Sequence, residues 1–321
     1  MSGRFLLQRL LQLLPAVAGI VLVGFLLVHL APGDPVIALA GESGDSAYYA
    51  FMRQRFGLDR PLFEQLGIYA QRVAVGDLGA SYVYGRSAMS VILERVPATL
   101  LLTGTALLIA IIGALPLGIL AARRPHTAGD LGISSTALAM YSTPVFLIGQ
   151  LAILLFALHG GLFPVQGMFD AGTSTQGAAH LWDLARHLML PAFVLAAHEL
   201  AVLVRVTRGA LAHEMTVEHV RTARGKGVSE FGVLMRHTLP RALLPVITVV
   251  GGRAGQLVTG AVVVEVVFGW PGIGRLLLAA LQSRDIPVLL GIFMLVSVSV
   301  VVVNLITDLV YAARDPRVEL A

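Results

Sequence analysis

The chain has 321 residues, 56% of them apolar and only 13% charged, with a mean hydropathy of +0.81; soluble domains average about half apolar and a quarter charged. That balance excludes a disordered segment and an ordinary soluble enzyme, and the absence of cysteine excludes a disulfide scaffold and thiol chemistry. The net charge is +4 and the pI 9.8, but the basic residues fall in short segments between apolar runs, so an integral membrane protein with no nucleic-acid partner is expected.

Apolar runs long enough to cross a hydrocarbon core about 30 Å thick cover, in chain order, Leu10–Ala31, Ala98–Ala121, Leu131–Leu158, Leu188–Val204, Ala242–Phe268 and Val288–Ala312. Continuous runs without period-2 alternation mean helices, not barrel strands. The expectation is an all-α membrane protein of six transmembrane helices. A cleavable leader is the rival reading of the first run, but the run exceeds the usual apolar core of about 7–15 residues, and the cleavage-like Ala38-Leu39-Ala40 lies well beyond its end.

Orientation follows the basic residues of short loops. Arg4 and Arg9, Arg123 and Arg124, the segment after the fourth run, and Arg314 and Arg317 share one side if the count is six. Both termini are then cytoplasmic. Two regions are expected: 1–97, the first helix with a structured outer loop, and 98–321, a five-helix core carrying an inner segment at about 205–241. Within the outer loop, Leu62, Leu66, Tyr69, Ala70 and Val73 recur at helical spacing, which predicts short helices at the membrane face.

The inner segment, Arg205–Pro245, is long for a transmembrane hairpin. Good helix formers run to Gly225 and Gly227, which break the helix around Lys226; Ser229 and Glu230 start the next, and Pro240 marks entry into the fifth run. A basic helix–glycine turn–helix suits docking against a cytoplasmic partner. Val217, Val220, Val228, Phe231, Val233 and Leu234 are more apolar than a solvated tether requires.

Here the chain resembles the membrane subunits of ATP-binding-cassette importers, whose cytoplasmic signature is EAA, three residues, Gly, nine residues, then I-x-L-P. Ala223, Gly227 and Leu239-Pro240 match it; Arg221, Thr222 and His237 depart from it as in the dipeptide/oligopeptide/nickel branch. HLAPGDP (29–35), GLDRPL (57–62), GDLGAS (76–81), RVPATL (95–100), TPVF (143–146), LFPVQG (162–167), VVVEVVFGWPGIGRLL (262–277) and the late Asp315-Pro316 follow in that branch's order over essentially the whole chain.

The resemblance implies a permease of the type I importer fold in a bacterial inner membrane. It further implies a second homologous permease, two ATP-binding subunits that hold ATP and Mg, and an extracytoplasmic solute-binding protein. By the same token Arg221, Thr222, Ala223, Arg224, Gly225, Lys226, Gly227, Val228, Ser229 and Glu230, with Leu239 and Pro240, form the element that docks on the ATPase, its apolar residues filling a groove there. Peptide is the expected substrate. Nickel permeation, and outside this family a stand-alone secondary transporter or channel or a membrane scaffold, are the rival readings.

Ionisable groups at membrane depth face a partner, a cavity or the bundle interior. Glu199, Arg253 and Glu265 are candidates for the translocation path or its gate, with an interhelical ion pair or a contact with a second permease as the alternative reading; Asp308 lies near the end of the last run. Gly251-x-x-x-Gly255 permits close helix approach, and Pro116, Pro144 and Pro191 are candidate kinks. Lys226, the single lysine, does not sit in G-x-x-x-x-G-K-[ST], so no phosphate loop and no cofactor are expected in this chain. His213-Glu214 and His219 lack the four-residue spacing of a zinc helix. His180 and His187 share an outer loop, but no metal site or enzyme active site is expected.

Overall fold

The computed structural model describes residues 15, 17–26, 45–56, 59–170 and 177–314; at 52, 55–56, 254–259 and 308–314 the backbone alone is described. Among these residues the chain is helical, with one isolated bridge between Ala80 and Ser87. The helices are α1 (Val17–Leu26), α2 (Ser46–Phe56), α3 (Leu62–Ala74), α4 (Ala88–Leu93), α5 (Val96–Arg123), α6 (Ala128–Ser142), α7 (Val145–Ala152), α8 (Ala178–Glu214), α9 (Glu218–Gly225), α10 (Glu230–Gly232), α11 (Leu239–Val267), α12 (Ile273–Gln282) and α13 (Ile286–Arg314). Widened π turns extend α7 over Ile153–His159 and link α10 to α11 over Val233–Thr238.

Four described helices are long and apolar enough to cross a membrane, or five if α6 and α7 count as one bent span. Much of the expected first span lies outside the described residues. The third expected run is broken by a bend of 104°. Pro144 supplies no amide and forces the residue before it out of the helical region; Thr143 is extended, with φ −84 and ψ 129. Pro116 and Pro191, by contrast, sit inside continuous helices. The fourth helix continues ten residues past Val204, to Glu214, because Val206, Ala210 and Leu211 keep it apolar on one face while Arg205 and Arg208 find partners.

Two compact units are present: Met1–Val96 with Leu276–Val302, and Pro97–Arg275 with Val303–Ala321. Part of the C-terminal sequence thus groups with the N-terminal unit. In the first unit α3 is the short loop helix that the apolar spacing predicts, and α2 precedes it. Asp285, buried, receives the Ser81 hydroxyl at 2.5 Å and the Tyr82 and Val83 amides at 3.3 Å, which fixes the end of the GDLGAS motif.

In the second unit α8 is the element on which α6, α7 and α11 pack. Leu102, Ala106, Ala110 and Ala114 give α5 a fully buried stripe. Small residues at four-residue spacing let backbones approach, and such close van der Waals contact holds helices together where lipid removes the hydrophobic drive. Gly251 is a second such point: an added Cβ would overlap the Thr307 side chain. Gly255 and the Asp308 side chain lie outside the described side chains.

Candidate functional site

The inner segment is a built structure. Helix α9 ends in a Schellman motif: the Val228 amide donates to the Ala223 carbonyl at 3.2 Å and the Gly227 amide to the Arg224 carbonyl at 2.9 Å. Gly227 makes this possible at φ +77, where an L side chain is strained. Ser229 then caps α10, its Oγ accepting the Gly232 amide at 3.3 Å. Arg224 donates two bonds to Glu230, of 2.8 and 3.2 Å, across the glycine turn, and this bond raises the guanidinium above its ordinary value. His219 braces the base: its Nε2 lies 3.2 Å from the His237 carbonyl, so it carries the proton, and Nδ1 accepts from Arg241 at 3.1 Å. The π turn precedes Pro240, the residue that cannot donate to the carbonyl four places back.

The apolar side chains here do not stand ready to fill a partner's groove. Val220, Ala223, Val233 and Val228 form the segment's own small core, and Leu234 is buried. Phe231, 65% exposed, and Met235 are the large apolar side chains that remain outside it. Arg221, Thr222, Arg224, Gly225, Lys226, Gly227, Ser229 and Glu230 are exposed, and Leu239 and Pro240 open α11.

At membrane depth Glu199 on α8 and Arg253 on α11 are brought together as a bidentate pair, 2.5 and 3.1 Å. Tyr141 lies close by, stacked on His198 at 4.6 Å with Arg205 5.3 Å over its ring. A second pair was missed: Arg208 on α8 grips Asp130 on α6 at 2.5 and 2.7 Å. Thr127 three residues before Asp130 was the available signal, since its hydroxyl caps α6 by accepting the Asp130 amide.

Glu265 is a knot at the end of α11. Its carboxylate accepts the Thr99 hydroxyl at 2.6 Å and the Gly274 and Arg275 amides at 2.7 and 3.2 Å, so it caps the start of α12 and ties it to α5. Trp270 Nε1 donates to the Ala98 carbonyl at 2.8 Å beside it. Gly272 must lack a Cβ, which would overlap this carboxylate. The arrangement explains E-x-x-x-x-W-P-G-x-G chemically: acid, wedge, turn and cap are one unit.

A further cluster stands at the start of α8. Asp183 and His187, one turn apart, meet Asp170, and one ligand atom from each lies within 4.8 Å of the others. His180 is not part of it; it stacks on Phe169 at 4.4 Å.

Residues 114–320 match the family described as binding-protein-dependent transport system inner membrane component, and residues 2–103 match the N-terminal family of the same systems' membrane components. The chain is 37% identical to the dipeptide transport system permease protein DppB of Escherichia coli K12, over 98% of each chain. It is 35% identical to the oligopeptide transport system permease protein AppB of Bacillus subtilis 168, over 98% of this chain and 99% of that one. Its fold matches a structure of the MetNI methionine ABC transporter in inward-facing form, with a TM-score of 0.55 and 17% identity, over 71% of this chain and 97% of that chain. The chain belongs to the family of binding-protein-dependent transport system inner membrane components.

Proposed function

We propose that this chain is the first permease of an ATP-driven peptide importer and forms half of its translocation path. The full-length similarity to dipeptide and oligopeptide permeases carries this reading. It crosses a bacterial inner membrane six times with both termini cytoplasmic. A second homologous permease completes the path, two ATP-binding subunits hold ATP and Mg, and an extracytoplasmic solute-binding protein delivers the peptide.

The segment Arg221–Glu230, with Leu239 and Pro240, docks on an ATP-binding subunit. Its rigidity supports this: the Schellman turn, the Ser229 cap and the Arg224–Glu230 clamp make it a body that can be pushed, and α9 follows, after the short turn 215–217, the long helix α8 that carries Glu199. Phe231, with Met235 beside it, is the apolar contact next to this segment. Glu199 and Arg253 satisfy one another, so in this arrangement they brace α8 on α11 beside the path; Glu265 sets the far end of α11 rather than moving. Family membership argues against a transporter that acts alone.

The experiment is uptake of labelled dipeptides and, separately, of nickel, by the whole complex in proteoliposomes. ATP-dependent dipeptide uptake is expected, abolished by Gly227→Asp while the chain stays in the membrane. Normal ATP-dependent uptake by that variant would overturn the docking role; uptake of nickel alone would overturn the substrate.

A further inference from the structure

The cluster at the start of α8 has a geometry that a shared metal ion accounts for. His187 is buried, its side chain only 2% exposed. Its Nδ1 lies 2.9 Å from the backbone carbonyl of Asp183. A carbonyl can only accept, so Nδ1 carries the proton, and in the neutral ring Nε2 presents a lone pair. That lone pair faces another electron-rich atom, Oδ1 of Asp170, at 3.6 Å, too far for a hydrogen bond. Two bonds of about 2.0–2.2 Å to a shared ion, meeting at a roughly tetrahedral angle, end about 3.3–3.6 Å apart. The separation is that of two ligands of one metal.

The surroundings repeat the pattern. A metal-bound imidazole donates its other N–H to a carbonyl or carboxylate, which fixes tautomer and ring orientation. His187 Nδ1 does this with the Asp183 carbonyl and lies 3.1 Å from Oδ1 of the same residue. Asp183 Oδ2 in turn accepts the Asp170 amide at 3.0 Å, which holds the Asp170 backbone against the start of α8. One imidazole and two carboxylates suit a borderline divalent ion better than a hard one, which would take oxygen alone.

We propose that Asp170, Asp183 and His187 form a binding site for a divalent transition cation of the zinc class, three protein ligands with a fourth position left to water. Bound there, the ion joins the segment after the π turn to the first turns of α8, and would make that junction depend on metal supply. The proposal stands independently of the transport reading.

The test uses the full chain in its purified complex, stripped of metal and titrated with Zn²⁺ alone, followed by calorimetry; Co²⁺ in its place reports ligand geometry through its visible absorption. Binding of one ion per chain with a tetrahedral Co²⁺ spectrum is expected. His187→Gln should abolish binding and Asp170→Asn should weaken it by about tenfold or more. Asp170 has a largely exposed side chain, so its variant folds and decides the matter if His187→Gln does not. Absence of stoichiometric binding, or equal affinity in wild type and Asp170→Asn, would overturn the site and leave the cluster as a contact between His187 and two carboxylates.

Discussion

Arg253 reaches from α11 to Glu199 on α8 with two near-parallel hydrogen bonds, of 2.5 and 3.1 Å. Removing one partner of such a pair strands a charge at membrane depth, while removing both leaves none. Arg253→Met is therefore expected to destabilise the chain by about 3 kcal/mol, and Glu199→Gln/Arg253→Met together by clearly less. Thermal unfolding in detergent checks this; additive losses would show that the two groups act separately.

The knot at Glu265 predicts a stronger structural loss. Glu265→Ala leaves the Thr99 hydroxyl and the Gly274 and Arg275 amides unpaired in a buried place, at a cost of about 2–4 kcal/mol. Thr99→Val removes one bond and should cost about 1 kcal/mol. Unfolding midpoints of the two variants, compared side by side, give the ratio; a Glu265→Ala protein as stable as Thr99→Val would contradict the capping role.

Two glycines two residues apart make opposite predictions. Gly227 sits at φ +77 with open space around it, so Gly227→Ala should cost about 1–2 kcal/mol through backbone strain alone. Gly225 ends α9 with ordinary helical geometry and nothing near, so Gly225→Ala should be neutral or stabilise by up to about 1 kcal/mol. Protease resistance of the segment distinguishes the two.

The approach of Gly251 to Thr307 gives a rescue experiment. Gly251→Ala drives a methyl into the Thr307 side chain and should cost about 1–3 kcal/mol. Adding Thr307→Ala makes room and should recover most of it, read as the folded fraction by gel filtration.

Phe231 tests docking without touching the fold. At 65% exposed it contributes little to the segment's own core, so Phe231→Ala should leave unfolding unchanged. On the proposed reading it should lower copurification with the ATP-binding subunits and slow uptake severalfold; unchanged assembly would remove Phe231 from the interface.

The positions of helices were legible because each satisfies its backbone internally and each needs a long apolar run; α5, α11 and α13 lie within a few residues of where composition puts them. The glycine turn was legible for a like reason, since Gly227 and Ser229 act on their own neighbours in sequence. Span boundaries were less so: the α8 helix carries Arg205 and Arg208 beyond its apolar stretch because Tyr141 and Asp130, on α6, receive them. A break such as that at Thr143-Pro144 was visible as a proline, but Pro116 and Pro191 look the same in sequence and leave their helices continuous.

What the sequence determined by itself was therefore everything set by short-range chemistry and by oil against water: class, helices, turn, cap and family motifs. The tertiary structure alone decided which charge meets which. Glu199 found Arg253 54 residues away and Arg208 found Asp130 78 residues away, while Glu265 met Thr99 and the first amides of α12, and His187 met Asp170 and Asp183 rather than His180. Coulomb and hydrogen-bond partners depend on distance in space, and no local pattern encodes a distance between helices.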